Sequence, residues 1–362
     1  MTTTTTPGAR QRPTKDEGGL SGRKLPKPLV WALPFVAVLV TLGLFAVTEL
    51  QGDAGFIVVT LIVYVALQTA LSFTMEGPRQ ARDRMATTLI YVSFLIALVP
   101  LILIIWYTIS RGIRAMSMDF LTHSMFGVQS SMAGGGVTHA IIGTLLVSLI
   151  AAVIAVPLGI FTAIYLVEYG GQNRFGRTVS FFVDVMTGVP SIVSGLFIYA
   201  FWLLTLGFQK TALAGALSLV LLMLPIVIRS TEEMLKLVPN DLREASYALG
   251  VPKWRTITKI VLPTAMSGII TGVMLGVARI MGETAPLLLL VGTSIRINGD
   301  PFVGQMETLP TFINKYFGLA AGDIASANAD RAWAAALTLI VLIMLLNLGA
   351  RILARFTGVK QK

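Results

Sequence analysis

The chain reads as an all-α, polytopic membrane protein of about eight transmembrane helices, and three observations predict that class. Of 362 residues, 55% are hydrophobic and 13% charged, with a mean hydropathy of +0.78, well below the charged share of a soluble domain. Eight apolar stretches reach the roughly twenty residues that a helix needs to cross a bilayer: 29–50, 55–73, 88–109, 139–166, 178–206, 213–231, 264–293 and 332–350. With the N-terminus inside, the inner connections hold 21 Lys or Arg against 9 Asp or Glu, while the outer ones hold 6 against 7. That bias is the positive-inside pattern. It places both termini in the cytoplasm, and it accounts for the net charge of +10 without nucleic acid. With no cysteine, disulfides and thiolate metal sites are excluded. His123 and His139 lie outside any metal-ligand spacing and read as loop or helix-end residues.

In chain order, residues 1–28 mix Thr, Pro, Gly and charge and read as a disordered cytoplasmic tail. Residues 29–87 form a transmembrane hairpin and a cytoplasmic linker, with nothing polar inside the hairpin to suggest chemistry. Six spans follow over 88–356. The outer stretch 110–138 contains Gly134 to Gly136, read as a flexible turn. Span 178–206 carries Asp184 about two turns in, then Ser191 and Ser194 within TGVPSIVSGLF. An ionisable group at such depth faces protein or water, whereas Ser and Thr serve either helix packing or a pore.

The connection 232–263 contains a polar insert, EASYALGVPKWRTITKIVLP, from Glu244 to Pro263. Asp241 with Glu244 three residues on resembles a capping box. Gly250 stands as a C-terminal cap, and Pro252 suits the first turn of a second helix. A helix of about two turns fits between those marks. It carries Leu242, Ala245, Ser246 and Leu249 on one face, suited to docking.

Span 264–293 repeats Gly268, Gly272 and Gly276 at steps of four, and Arg279 and Glu283 follow at steps of three and four. The spacing predicts one shared helical side. An Arg near mid-span costs roughly 2.5–3.5 kcal/mol on insertion scales. Glu283 offsets much of that by pairing, and the guanidinium then offers its planar fork to an oxyanion. Pro286 is expected to interrupt the helix. The outer segment 294–331 carries Leu309, Phe312, Ile313, Tyr316 and Phe317 near helical spacing, read as an interfacial helix packed on the membrane or on its own protein. A short basic tail, 357–362, closes the chain.

Glu244-Ala245-Ser246, three residues, Gly250, nine residues and Ile260-x-Leu262-Pro263 resemble the EAA loop of ATP-binding cassette importer permeases. Ser246 stands where that family usually has Ala. Within those permeases, the string RIMGETAPLLL from Arg279 to Leu289, which includes Thr284, resembles the phosphate-specific PstA family over about residues 88–356. The resemblance implies a type I importer permease fold in a bacterial plasma membrane. It also implies a heterodimeric pore with a PstC-like permease, a PstB-like ATPase dimer docked at Leu242, Glu244, Ala245, Ser246, Leu249, Gly250 and Pro252, and an external PstS-like phosphate-binding protein. Arg279, Glu283 and Thr284 would then lie on the substrate path; Asp184, Ser191 and Ser194 are added to it on their own chemistry.

No GxxxxGK[ST] string occurs, so the chain is expected to be no enzyme and to carry no cofactor, with ATP bound by the partner subunit. Another oxyanion as cargo, a PstC-type identity, and a membrane scaffold or passive channel are the competing readings.

Overall fold

The computed structural model describes residues 25–48, 52–129, 132, 134–170, 173–320 and 325–357. Most of the expected N-terminal tail and residues 358–362 of the basic tail lie outside them. Among the described residues the secondary structure is helical throughout. The chain divides into two compact units, Met1–Ile104 and Ile105–Lys362.

The first unit holds α1 (Lys27–Val47), α2 (Asp53–Met75) and the first part of α3 (Pro78–Ala115). All three are long and apolar enough to cross a membrane. Their polar content gathers at one end. The Glu76 carboxylate accepts from the Leu25 amide at 2.6 Å, the Ser72 hydroxyl at 2.7 Å and the Arg84 guanidinium at 2.8 Å, tying the entry of α1 to the α2–α3 turn. Burial alone would raise this carboxyl's pKa, but those three donors outweigh it and hold the group below the ordinary carboxylate range. One buried hydrogen bond, Thr88 to Gln68 at 3.1 Å, joins α2 and α3 inside their apolar lengths.

The second unit is organised by α5 (Thr138–Ile164), α8 (Ala212–Lys236) and α11 (Leu262–Met281). Small residues on α5, Ala151, Ala155 and Gly159, let α8 approach through Leu219, Met223 and Val227. A Cβ on Gly159 would stand 2.7 Å from Val227 Cγ1, so this crossing depends on a missing side chain. Helix α13 (Leu309–Leu319) buries Leu309, Phe312 and Tyr316 against Phe120, Met125, Ala140 and α14 (Ala325–Thr357). The stripe expected in the outer segment is therefore covered by the protein itself.

Three local expectations are corrected. Gly134 to Gly136 do not form an open flexible turn. Gly134 and Gly135 take φ +89° and +82°, and a Cβ on Gly136 would lie 2.7 Å from the Phe120 carbonyl, so the run is a packed turn. The single span expected over 178–206 is instead two helices, α6 (Arg174–Thr187) and α7 (Ser191–Ile198, continuing to Thr205), bent by 107°. Gly188 ends the first helix, and Pro190 is the N-cap of the next. Span 264–293 breaks at Gly282–Thr284, before Pro286, because Pro286 occupies the first turn of α12 (Ala285–Leu290), where a missing N–H costs nothing. Among the described residues seven helices are long and apolar enough to cross a membrane, or eight if the bent pair is one span.

Candidate functional site

The insert between α8 and α11 folds as α9 (Asn240–Ala248) and α10 (Lys253–Thr256). Asp241 is not a cap: the N-cap is Pro239, which has no side-chain acceptor, so Asp241 acts in the first turn through the helix dipole. Gly250 takes φ +74° and donates its N–H to the Tyr247 carbonyl at 2.9 Å, as expected of a residue past a helix end. Pro252 caps α10 rather than lying inside it.

Leu242, Glu244, Ala245 and Leu249 are exposed, Leu249 at 83%. Ser246 does not share that face. It is buried, 2.8 Å from the Thr256 hydroxyl, and pins α9 to α10. Two residues that sequence reasoning passed over anchor the insert. Arg243 reaches Glu168 at 3.0 Å and the carbonyls of Leu235 and Val238 at 2.9 and 2.6 Å. Lys253 donates to the Glu168 carbonyl and lies over the Tyr169 ring. Glu168 precedes Arg243 by 75 residues, so neither spacing nor periodicity connects them.

At the break after α11, Arg279 and Glu283 form an ion pair. Glu283 is buried, whereas the Arg279 side chain is 61% exposed. The glycines before them pack on α8: a Cβ on Gly268 would lie 2.7 Å from Met234 Cγ, and one on Gly272 2.5 Å from Ser230 Cβ. The glycine stripe is thus filled by α8, and Arg279 is free of that contact. Thr284, half-buried, stands at the N-cap of α12 without a side-chain cap, and its carbonyl accepts from Leu288 at 3.1 Å.

Helix α7 lies against α12, because Gly195 lets Pro286 approach; a Cβ there would be 2.8 Å from Pro286 Cα. Ser191 and Ser194 are therefore on a helix beside the break. Ser194 Oγ is buried and donates to the Ser191 carbonyl at 2.7 Å, which favours packing over lining for that hydroxyl. Asp184 joins a different cluster. Its carboxylate pairs with Arg229 at 2.5 Å, and Arg229 also bonds Ser180 and, at 2.5 Å, Glu232. Arg229 was legible only as one more charge at the inner end of a span.

A second unforeseen cluster is buried near α13. His139 Nε2 lies 3.1 Å from Glu307, with both side chains fully buried, and Lys315 reaches the other Glu307 oxygen at 3.2 Å. Burial and the Glu307 charge push the nearby Tyr316 hydroxyl up to about 12. His139 is at a helix start, as expected, but as a paired core group. Among the described residues no cluster of His, Asp or Glu has the makings of a metal site.

A family model described as "Binding-protein-dependent transport system inner membrane component" matches residues 155–358. The phosphate transport system permease protein PstA 1 of Mycobacterium tuberculosis H37Rv is 51% identical over 285 residues, 78% of this chain and 91% of that protein. PstA of Mycobacterium leprae is 52% identical over 271 residues, covering 75% and 88%. PstA of Yersinia pestis is 41% identical over 275, covering 76% and 90%. Among solved structures, a chain of a bacterial alginate ABC transporter in complex with its alginate-bound periplasmic protein aligns with TM-score 0.53 at 17% identity, over 78% of this chain and all of that one; the likeness is one of fold. With helices fit to cross a membrane several times and the Arg279 break and α9 insert both inside the matched region, the chain belongs to the binding-protein-dependent transport system inner membrane components and, among them, to the PstA permease family.

Proposed function

We propose that the chain is the transmembrane permease subunit of an ATP-driven phosphate importer. It forms half of the translocation path with a PstC-like permease, docks a PstB-like ATPase dimer through α9, and receives phosphate from a PstS-like binding protein. ATP is bound and hydrolysed on the ATPase partner. Termini and α9 face the cytoplasm of a bacterial plasma membrane.

The observation that carries this reading is the Arg279–Glu283 pair at the α11 break. Glu283 is buried and holds one edge of the guanidinium, while the rest of Arg279 remains exposed. A guanidinium so placed has N–H donors left for a tetrahedral oxyanion, and Glu283 competes for them. Thr284 supplies a hydroxyl at the same break, and α7 forms a wall beside it with Ser191, while the Ser194 hydroxyl is turned into the helix packing. Asp184 contributes by holding Arg229 and so fixing α6 against α8. Movement of the ATPase would shift α9, and through the Ser246–Thr256 and Arg243–Glu168 ties it would move α10, α11 and the end of α5 together. The affinity of the path for phosphate then changes as the Arg279–Glu283 arrangement changes.

The test is phosphate-stimulated ATP hydrolysis by the complex purified through this chain and reconstituted in vesicles, alongside uptake of labelled phosphate with sulfate and molybdate as competitors. Stimulation and uptake specific to phosphate support the reading. Uptake indifferent to ATP, or competed equally by sulfate, removes it.

A further inference from the structure

Helices α11 and α14 pack together, and on one side they leave a cleft of about 250 Å³ lined by Ile270, Thr271, Met274 and Leu275 of α11 and by Asn347 and Arg351 of α14. None of these residues has a part in the Arg279 break or in the α9 surface. Asn347 and Arg351 are four residues apart, so they lie on one helical face.

Among the described residues neither has a hydrogen-bond or ion-pair partner. The cleft lining contains no carboxylate. The Thr271 hydroxyl already donates to the Ser267 carbonyl at 2.9 Å, which leaves it no donor to spare but keeps it able to accept. An amide inside an apolar helix and a guanidinium without a counter-charge both call for an acceptor.

The surroundings say which kind. Leu275, Met344, Leu345 and Leu348 are 56–65% exposed, so the cleft opens onto apolar helix surface. The nineteen residues between Arg331 and Arg351 carry no charge, which as helix is about the thickness of a bilayer's hydrocarbon core, so Arg351 falls where headgroups begin. Basic clefts between membrane helices at that depth suit anionic headgroups.

We propose that this cleft holds an anionic phospholipid of the leaflet at the C-terminal end of α14. The Arg351 guanidinium binds the phosphate oxygens, the Asn347 amide donates to a phosphate or glycerol ester oxygen, and the acyl chains lie along Leu275 and Leu348. Inorganic phosphate offers the same oxyanion chemistry, but it makes no use of the apolar walls.

The test uses the full chain in detergent with a phosphatidylcholine background. Phosphatidylglycerol is titrated in, and retained lipid is read by native mass spectrometry and the thermal midpoint by intrinsic fluorescence. A parallel arm adds inorganic phosphate at equal concentration. Phosphatidylglycerol is expected to be retained and to raise the midpoint. Half-saturation should move up about fivefold in Arg351→Gln, the loss of one basic contact near the membrane surface, and little in Arg351→Lys. Asn347→Leu suits an apolar span, so it keeps the fold while weakening retention.

Equal retention in the wild type and both neutral variants would overturn the proposal. So would equal stabilisation by phosphatidylcholine or by inorganic phosphate. A photo-crosslink from position 275 that captures another polypeptide in place of lipid would also overturn it.

Discussion

Arg279 and Glu283 are bonded to each other but differ sharply in exposure: the carboxylate is buried and the guanidinium is mostly open. The pair sits at the point where α11 stops and α12 has not begun, so one partner is held by the protein while the other remains available. On the proposed function, that division suits a guanidinium with donors left over for an anion.

Arg279→Ala is accordingly expected to reduce phosphate uptake by about tenfold or more, the loss of a charge-assisted hydrogen bond. Arg279→Lys should retain only part of the rate, because an ammonium cannot serve Glu283 and a tetrahedral anion with a planar fork. Uptake kinetics in vesicles check this; unchanged rates in both variants would remove Arg279 from the path.

Gly272 has no room for a side chain. Gly272→Ala places a methyl 2.5 Å from Ser230 Cβ and should cost about 1–3 kcal/mol by overpacking. Adding Ser230→Gly should recover most of that loss. Thermal unfolding of the single and double variants in detergent measures the coupling.

At the α9 surface, Gly250→Val forces a β-branched residue to φ +74°, a strain of about 1–3 kcal/mol. Leu249→Asp changes the exposed face without touching the fold, since Leu249 is 83% exposed. Both should abolish phosphate-stimulated ATP hydrolysis, whereas only Gly250→Val should lower the unfolding temperature. Leu249→Asp that leaves coupling intact would exclude this face from docking.

His139→Leu leaves the buried Glu307 with Lys315 as its remaining ion-pair partner among the described residues. The expected loss is about 1–3 kcal/mol, the cost of an unsatisfied buried acceptor. His139→Gln can still donate and should recover part of it, as read by thermal unfolding.

Glu76 sets an acid limit. Its pKa is held below the unfolded value of about 4.3, so its contribution is fully present above that value. It is lost as pH falls through the lower, folded value. The first unit should therefore loosen in that acid window, and Glu76→Gln should flatten the pH dependence there while lowering stability at neutral pH. Hydrogen exchange in α2 and α3 across pH 3 to 6, a range chosen to bracket that carboxylate, tests the sign.

Composition and hydropathy alone dictated an all-helical membrane protein, since a backbone in oil has no other partner than itself. Local chemistry was equally direct for Gly250, where a turn needs positive φ, and for Arg279 and Glu283, whose four-residue spacing lets them meet across the end of α11. Distant partners carried no such mark. His139 and Glu307 stand 168 residues apart and Arg229 and Asp184 45; such meetings arise from how helices pack, and helix packing is set by volumes summed over many small residues. For the same reason Ser246 turned inward to Thr256, the glycine stripe closed on α8, and two apparent spans broke at Gly188–Pro190 and Gly282–Thr284. Periodicity says which residues share a face, but which neighbour covers that face is a property of the assembled chain.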